Sequence, residues 1–175
     1  MSDSEAGPVP QHAVIVGVIP DQPPRVLKEA ARYAQLFGAP LIAAHVDVTR
    51  FVTYEDPDGY VHSAPIDLDI AVGEAQLGSV TAAAASVLDG TGVDWSVRQL
   101  VGDPALAIKQ LAEQSQARLI VVGTRRRGFG ESIREFFTGS VAARLAHRQS
   151  RPVLVVPLEE PAADDEPLWP HDDAG

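Results

Sequence analysis

One segment rich in glycine and arginine carries the residue types that bind phosphate groups. Residues 123–130 read Gly-Thr-Arg-Arg-Arg-Gly-Phe-Gly, and Gly139-Ser140 follow further along the chain. Glycine lets a backbone approach a phosphate closely, and arginine donates paired hydrogen bonds to its oxygens. Serine caps helices, and the free N–H groups of a helix start attract anions. The pattern indicates an anion site, although an ordinary turn followed by a capped helix explains the same residues equally well.

The spacing of residues excludes several other kinds of site. A P-loop requires Lys-Ser or Lys-Thr where this chain has Phe129-Gly130, and the turn from Val18 to Gln22 lacks the dinucleotide fingerprint G-x-G-x-x-G. The five histidines form no i, i+4 metal pair, and we interpret His45 as structural because it ends an apolar strand. No serine stands in G-x-S-x-G, and the chain has no cysteine. No catalytic constellation remains.

The elements that must position the segment alternate along the chain. Strands are predicted at residues 12–18, 41–46, 95–101, 118–122 and 152–156. Helices are predicted at residues 24–37, 68–89, 104–115, 131–137 and 141–149. Apolar strands separated by helices indicate a parallel sheet covered on both faces. Right-handed crossovers then favour a doubly wound, Rossmann-like α/β fold with five parallel strands in the order 3-2-1-4-5.

Ligands of doubly wound folds bind beyond the carboxyl ends of the strands, where the strand order reverses. The relevant ends here are those of the first and fourth strands, which lead into residues 18–21 and into Gly123. The fold prediction and the glycine- and arginine-rich segment therefore point to the same edge of the sheet.

Local signals set several element boundaries. Gly38 is placed to end the first helix, and Asp103 is placed to cap a helix that begins at Pro104. Residues 55–59, Glu-Asp-Pro-Asp-Gly, have the composition of a turn. We therefore interpret the whole stretch 49–66 as a loop.

The charge of the chain is concentrated at its ends. The net charge is -10, and residues 159–175 contain seven acidic side chains and no Lys or Arg. We predict flexible tails at residues 1–11 and 159–175 around one domain at residues 12–158. That domain is nearly neutral and offers no basic field to nucleic acid.

The absence of a long apolar run and of a signal-peptide pattern predicts no membrane span and a cytoplasmic location.

Taken together, the motifs resemble those of the universal stress protein family over about residues 12–158. The matching segments are residues 14–18, 44–46, 101–104, 119–124, 138–141 and 151–157. None of these segments is diagnostic alone, but their order and spacing together are fairly specific. The resemblance implies the fold of the adenine nucleotide alpha hydrolases and a role in the response to stress.

The resemblance also implies a nucleotide site. Nucleotide-binding members carry G-x2-G-x9-G-[ST], whose first glycine corresponds to Gly123 and whose last two residues correspond to Gly139 and Ser140. Val46 corresponds to the valine that ends their second strand. The implied cofactor is ATP, with Mg²⁺. The implied contact residues are Val18, Ile19, Pro20, Val46, Gly123, Thr124, Arg125, Arg126, Gly128, Gly130, Gly139, Ser140 and Val141.

Two departures from the family pattern bear on that site. Arg126 stands at the second glycine, and the interval from Gly123 to Gly139 is three residues longer than the pattern. Ile19 stands where nucleotide-binding members have an aspartate after the first strand, with Asp21 two residues on. Isoleucine accepts no hydrogen bond, so one polar contact worth about 0.5–1.5 kcal/mol is missing.

Two hypotheses therefore remain open. The first is a stress-response protein that binds ATP or AMP and catalyses at most slow hydrolysis. The second is a regulatory or interaction module of the same fold that binds no nucleotide. In both, the resemblance implies a homodimer formed by pairing the last strands, and an apolar sheet edge needs such cover. The strand residues concerned are Val153, Leu154, Val155 and Val156.

Overall fold

The computed structural model describes residues 7–47, 70–124 and 141–158, together with the backbone of residues 52–55 and 61–64. The strands are β1 Val14–Val18, β2 Leu41–Asp47, β3 Val52–Glu55, β4 Val61–Ala64, β5 Trp95–Val101, β6 Leu119–Gly123 and β7 Val153–Val156. The helices are α1 Arg25–Phe37, α2 Ile70–Leu88, α3 Pro104–Gln114 and, in our numbering, α4 Val141–Arg148. The helix predicted at 131–137 lies outside the described residues.

Five parallel strands form one sheet in the order β5-β2-β1-β6-β7. Counted along the chain within this sheet, the order is 3-2-1-4-5, so the predicted doubly wound fold is confirmed. Val14 pairs with Leu41 on β2 and with Leu119 on β6, so the three central strands start level. The strand order reverses at β1. The carboxyl ends of β1 and β6 therefore stand side by side at the switch point.

The core consists of two apolar layers, one on each face of the sheet. Alternate residues of a strand point to opposite faces, so Val14 and Val16 pack on one side and Ile15 on the other. The first layer is filled from α1 and α2, with Val26 and Leu88 among its buried residues. The second layer receives α3 and α4. Both faces are covered, as a parallel sheet requires.

The predicted helix signals are confirmed. Gly38 follows α1 in the left-handed region, with φ of 56°, where a side chain would be strained. The Asp103 carboxylate accepts the Leu106 N–H at 2.9 Å and caps α3, and Pro104 is its first residue.

The prediction of a loop over residues 49–66 was wrong for two segments. Strands β3 and β4 pair antiparallel, with Val52 opposite Ala64 and Glu55 opposite Val61. Of the predicted turn residues 55–59, Glu55 ends β3, and residues 56–59 lie outside the described residues. Four-residue strands are too short to show a clear apolar alternation, so their pairing was not visible in the sequence.

The segment before β1 makes specific contacts with the domain. The Arg98 guanidinium on β5 donates to the carbonyl oxygens of Gly7 and Pro8. The Gln11 side-chain amide donates to the Gln114 carbonyl oxygen at 3.1 Å. Residues 7–11 are thus attached across α3 and the β5 edge. The tails predicted at 1–11 and 159–175 otherwise lie outside the described residues, and they stay predictions.

Candidate functional site

The turn that follows β1 is closed by Gln22. Its backbone N–H donates to the Ile19 carbonyl oxygen at 3.3 Å, and its side-chain Oε1 accepts the Ile19 N–H at 3.4 Å. Pro20 occupies the second position, and Asp21 has φ of 58°, as a type II turn requires at its third position. The Ile19 side chain is 59% exposed. The turn therefore presents an apolar side chain at the switch point.

Gly123, the last residue of β6, is enclosed by other parts of the chain. A Cβ atom at this position would lie 2.9 Å from Gln22 Nε2, 3.0 Å from Leu158 Cδ2 and 3.2 Å from Val26 Cγ2. Real Cβ atoms essentially never show contacts under 3.0 Å. The packing of the chain itself thus favours glycine here, independently of any ligand.

Thr124 joins the end of β6 to the segment that leaves β7. Its N–H donates to the Val156 carbonyl oxygen at 2.9 Å. Its hydroxyl oxygen accepts the Leu158 N–H at 3.0 Å. A hydroxyl that accepts keeps its own hydrogen for donation. Thr124 can therefore donate to a ligand while it holds the two strands together.

His45 lies on β2 opposite Val18 and is only 2% exposed. Its Nδ1 is 3.2 Å from the Val18 carbonyl oxygen. A carbonyl oxygen only accepts, so Nδ1 carries the hydrogen and Nε2 presents a lone pair in the neutral ring. No partner for Nε2 lies in the described part of the chain. The interpretation of His45 as structural is supported at Nδ1, which fixes the end of β1.

Asp47, the last residue of β2, was not identified from the sequence. It is fully buried, and Gln99 Nε2 on β5 lies 3.5 Å from its Oδ2. A buried carboxylate is costly unless it is hydrogen-bonded. The available signal was its position as the first charged residue after an apolar strand. Asp47 and His45 alternate with Val46 and so point to the same face of the sheet.

The sheet brings together only part of the predicted site. The pairing of β1 with β6 puts the end of β1, Val18, at the same edge as Gly123 and Thr124. Ile19 and Pro20 lie in the turn whose Gln22 contacts Gly123. Val46 lies near the end of the adjacent strand β2, and Val141 begins α4. The remaining predicted residues are outside the described part of the chain. They are Arg125, Arg126, Gly128, Gly130, Gly139 and Ser140.

An ion pair joins the two helices of the second layer close to this edge. Asp103 Oδ2 lies 2.5 Å from Arg144 Nη1, and Asp103 Oδ1 lies 2.8 Å from Arg144 Nη2. Burial alone would raise the pKa of Asp103, but the hydrogen bonds from Arg144 and from the Leu106 N–H hold that pKa below its ordinary value of 3.8. The same pair raises the pKa of Arg144. The start of α3 is thereby fixed against α4.

A cavity of about 540 Å³ lies at the opposite edge of the sheet. Gly38, Pro40 and Gly92 line it together with Gln35, whose side-chain amide already donates to the Thr91 carbonyl oxygen at 2.8 Å. Asp94 is the one charged residue of its lining. Few polar groups converge there, so we place the candidate site at the switch point instead.

The described residues contain neither a membrane-spanning helix nor a metal cluster. None of the helices found there has the length and apolar character needed to cross a membrane. No group of three or more His, Cys, Asp or Glu side chains in the described ranges comes close enough to hold a metal ion.

The sequence matches the universal stress protein family over residues 12–157. This chain belongs to the universal stress protein family. The match spans the whole five-stranded sheet of this universal stress protein and ends immediately after β7. No curated protein gives a significant match.

Solved structures of the family share the fold. A universal stress protein in complex with cAMP is 26% identical, with 86% of this chain and 99% of that chain covered and a TM-score of 0.56. A family member from Burkholderia pseudomallei is 24% identical over 83% and 96%, with a TM-score of 0.54. The Archaeoglobus fulgidus protein in complex with dAMP is 23% identical over 85% and 98%, with a TM-score of 0.54. The last two structures are less than 25% identical to this chain, so they show a shared fold and nothing more.

Proposed function

We propose that this universal stress protein is a cytoplasmic stress-response protein that binds an adenine nucleotide at the carboxyl ends of β1 and β6. The observation that carries the proposal is the strand order, which sets Gly123 and Thr124 beside the β1 turn at the switch point. Doubly wound folds bind ligands at that point. The 26% identical relative solved with cAMP supports an adenine nucleotide as the ligand class.

Each end of the nucleotide has its own part of the site in this proposal. The phosphates bind the segment that begins at Gly123, where residues 124–127 supply a hydroxyl and three guanidinium groups. Gly139 and Ser140 complete the phosphate contacts at the start of α4. Val18, Ile19, Pro20 and Val46 contact the adenosine side. ATP with Mg²⁺ is one form of this ligand, and AMP is another.

The protein acts as a binding protein in this proposal, with at most slow hydrolysis of ATP. Hydrolysis needs a general base within hydrogen-bond reach of the attacking water. None of the implied contact residues that the structure describes carries a base, since Thr124 offers a hydroxyl and Ile19 is apolar. Binding and release of the nucleotide would therefore be the functional event.

Isothermal titration calorimetry with AMP, Mg-ATP and cAMP tests the proposal. We expect measurable heat and a rise in Tm at millimolar ligand. Ser140→Ala should weaken binding by on the order of tenfold through the loss of a hydrogen bond to a charged oxygen. Ser79→Ala, on the exposed surface of α2, is the matched control and should bind as the wild type does. Absence of heat and of a Tm rise with all three ligands would contradict the proposal.

A second candidate is an interaction module that binds no nucleotide. The specific observation in its favour is the packing over Gly123, where Gln22, Leu158 and Val26 account for the glycine without any ligand. In this case heat extraction of the purified protein releases no adenine absorbance, and titration gives no signal. The two candidates therefore predict opposite results in the same measurements.

Both candidates include a homodimer through β7. In the described part of the chain, β7 pairs with β6 alone, and the Val155 side chain is 42% exposed. An open edge of valine and leucine residues would be covered by the same strand of a second copy. Light scattering should give the mass of a dimer at micromolar concentration, and the mass of a monomer would contradict this part of the proposal.

A further inference from the structure

The Gln22 side chain lies between the turn after β1 and the end of β6. It is half-buried, and its amide nitrogen is 2.9 Å from the position that a Cβ of residue 123 would take. The other two atoms closest to that Cβ position are apolar and belong to Val26 and Leu158. Among these three nearest neighbours of Gly123, the Gln22 amide is the polar group.

The orientation of this amide follows from hydrogen-bond chemistry. The Ile19 N–H can only donate, so the atom that faces it must be Oε1, which lies 3.4 Å from Ile19 N. Nε2, with two N–H groups, then faces Gly123. Nε2 has no acceptor among the residues that the structure describes. The turn thus holds a hydrogen-bond donor at the point where the sheet would receive a ligand.

The start of α1 adds positive potential beside this donor. The helix runs for 13 residues from Arg25 to Phe37, and its N-cap residue, Pro24, makes no side-chain capping bond. The first turn contains no acidic residue but does contain the exposed Arg25. The first turn itself therefore supplies no negative charge, and the partial positive charge of the helix N-terminus favours an anionic group.

We propose that Gln22 is a specificity-determining residue of the site, whose Nε2 donates a hydrogen bond to a phosphate oxygen of the bound nucleotide. The inference rests on the proposed nucleotide binding and assigns a role to a residue outside the glycine- and arginine-rich segment. A phosphate oxygen is the acceptor because Gly123 begins the segment assigned to the phosphates. Adenosine, which lacks phosphate, should not use this contact.

Calorimetry with AMP and with adenosine on two variants tests the assignment. Gln22→Met keeps the length of the side chain but removes the donor. Gln22→Glu keeps its shape but places a carboxylate against the phosphate. We expect Gln22→Met to weaken AMP binding on the order of tenfold, and Gln22→Glu to weaken it further, while adenosine binding changes less than about twofold in both.

Gln35→Met is the matched control. Gln35 also donates its side-chain amide to a partner, the Thr91 carbonyl oxygen, but it lies at the opposite edge of the sheet. This variant should bind both ligands as the wild type does. The Tm of each variant without ligand shows whether the turn remains folded, and Gln22→Glu retains an oxygen that can accept the Ile19 N–H.

The outcomes separate the inference from the proposed function. If the wild type binds AMP and both Gln22 variants bind it equally well, the proposed role of Gln22 is wrong, but the nucleotide site is still supported. Equal losses for AMP and adenosine overturn the assignment to phosphate. A wild-type protein that binds neither ligand overturns the proposed function, and the Gln22 role with it.

Discussion

Asp103 and Arg144 join α3 and α4, which are adjacent in space but separated in the chain. The carboxylate caps α3 through the Leu106 N–H and also binds both terminal nitrogens of Arg144 on α4. One side chain therefore satisfies a helix end and an ion pair at the same time. Because α4 begins directly after Ser140, this pair positions the helix start that the proposed phosphate site needs.

Removal of the Asp103 carboxylate should destabilise the fold. Asp103→Ala loses both the cap and the ion pair, and we expect a loss of about 1–2 kcal/mol in the free energy of unfolding, after allowance for solvent screening of a partly exposed pair. Asp103→Asn keeps a capping oxygen and should lose about 0.5 kcal/mol. Denaturant unfolding measures both values.

The exposed ion pair between Glu29 and Arg32 supplies the control for this series. These residues lie about one helical turn apart on α1, and Arg32 Nη1 is 3.6 Å from Glu29 Oε2. Glu29→Gln should change the free energy of unfolding by less than about 0.5 kcal/mol. Equal effects of Glu29→Gln and Asp103→Ala would contradict a special role for the Asp103 pair.

The Asp103 contribution should also depend on pH. Because the folded pKa of Asp103 lies below 3.8, the folded state favours the ionised form. The resulting stabilisation is present in full above about pH 5 and is lost as the pH falls through the folded pKa. The difference in unfolding free energy between the wild type and Asp103→Asn should therefore shrink toward pH 3. A difference that stays constant from pH 7 to pH 3 would rule out this linkage.

Two glycine substitutions should act in opposite directions. Gly123→Ala forces the side-chain ends of Gln22 and Leu158 to shift, and we expect a destabilisation of about 1–2 kcal/mol. Gly78→Ala, in the middle of α2 with nothing within 4 Å, should stabilise by about 0.5–1 kcal/mol. Thermal and denaturant unfolding measure the change in the free energy of unfolding for both variants.

A double mutant identifies the contact responsible at Gly123. Gln22→Ala removes the nearest atom, so Gly123→Ala should cost less in that background than in the wild type. An unchanged cost would mean that Leu158 or Val26, and not Gln22, limits the space at this position.

A charge on the outer edge of β7 should prevent dimerisation. Val155→Lys places an ammonium group where we propose that two copies pair, and the expected product is a monomer in light scattering. Val72→Lys on α2 is the matched control because Val72 is similarly exposed, at 45% against 42%. A dimer mass for Val155→Lys would exclude β7 as the interface.

The sheet could be predicted because its signals are local and strong. Segments such as Val14–Val18 and Leu119–Gly123 are continuous apolar runs, and handedness restricts how such strands connect. The β3–β4 hairpin was missed because its strands have four residues each and pair with each other outside the main sheet. The turn-like composition of residues 55–59 drew attention away from the strands on either side.

The site was harder to predict because its contacts connect distant parts of the chain. Gly123 was recognised as a special position, yet no pattern in the sequence indicates that Gln22 and Leu158 pack against it. Gln22 lies in a proline-rich turn without periodicity, and Asp47 resembles any polar residue after a strand. Their roles arise from three-dimensional neighbours that only the fold specifies.

The hydrogen bonds of Thr124 connect the proposed ligand site to the proposed dimer edge. Gly123 pairs with Val156, Thr124 donates to the Val156 carbonyl oxygen, and its hydroxyl accepts the Leu158 N–H. If both proposals hold, the two equilibria share one strand and are coupled. Thermodynamic reciprocity then requires that any factor by which nucleotide tightens the dimer is also the factor by which dimerisation tightens the nucleotide. Protein concentration would in that way set the apparent affinity for the ligand.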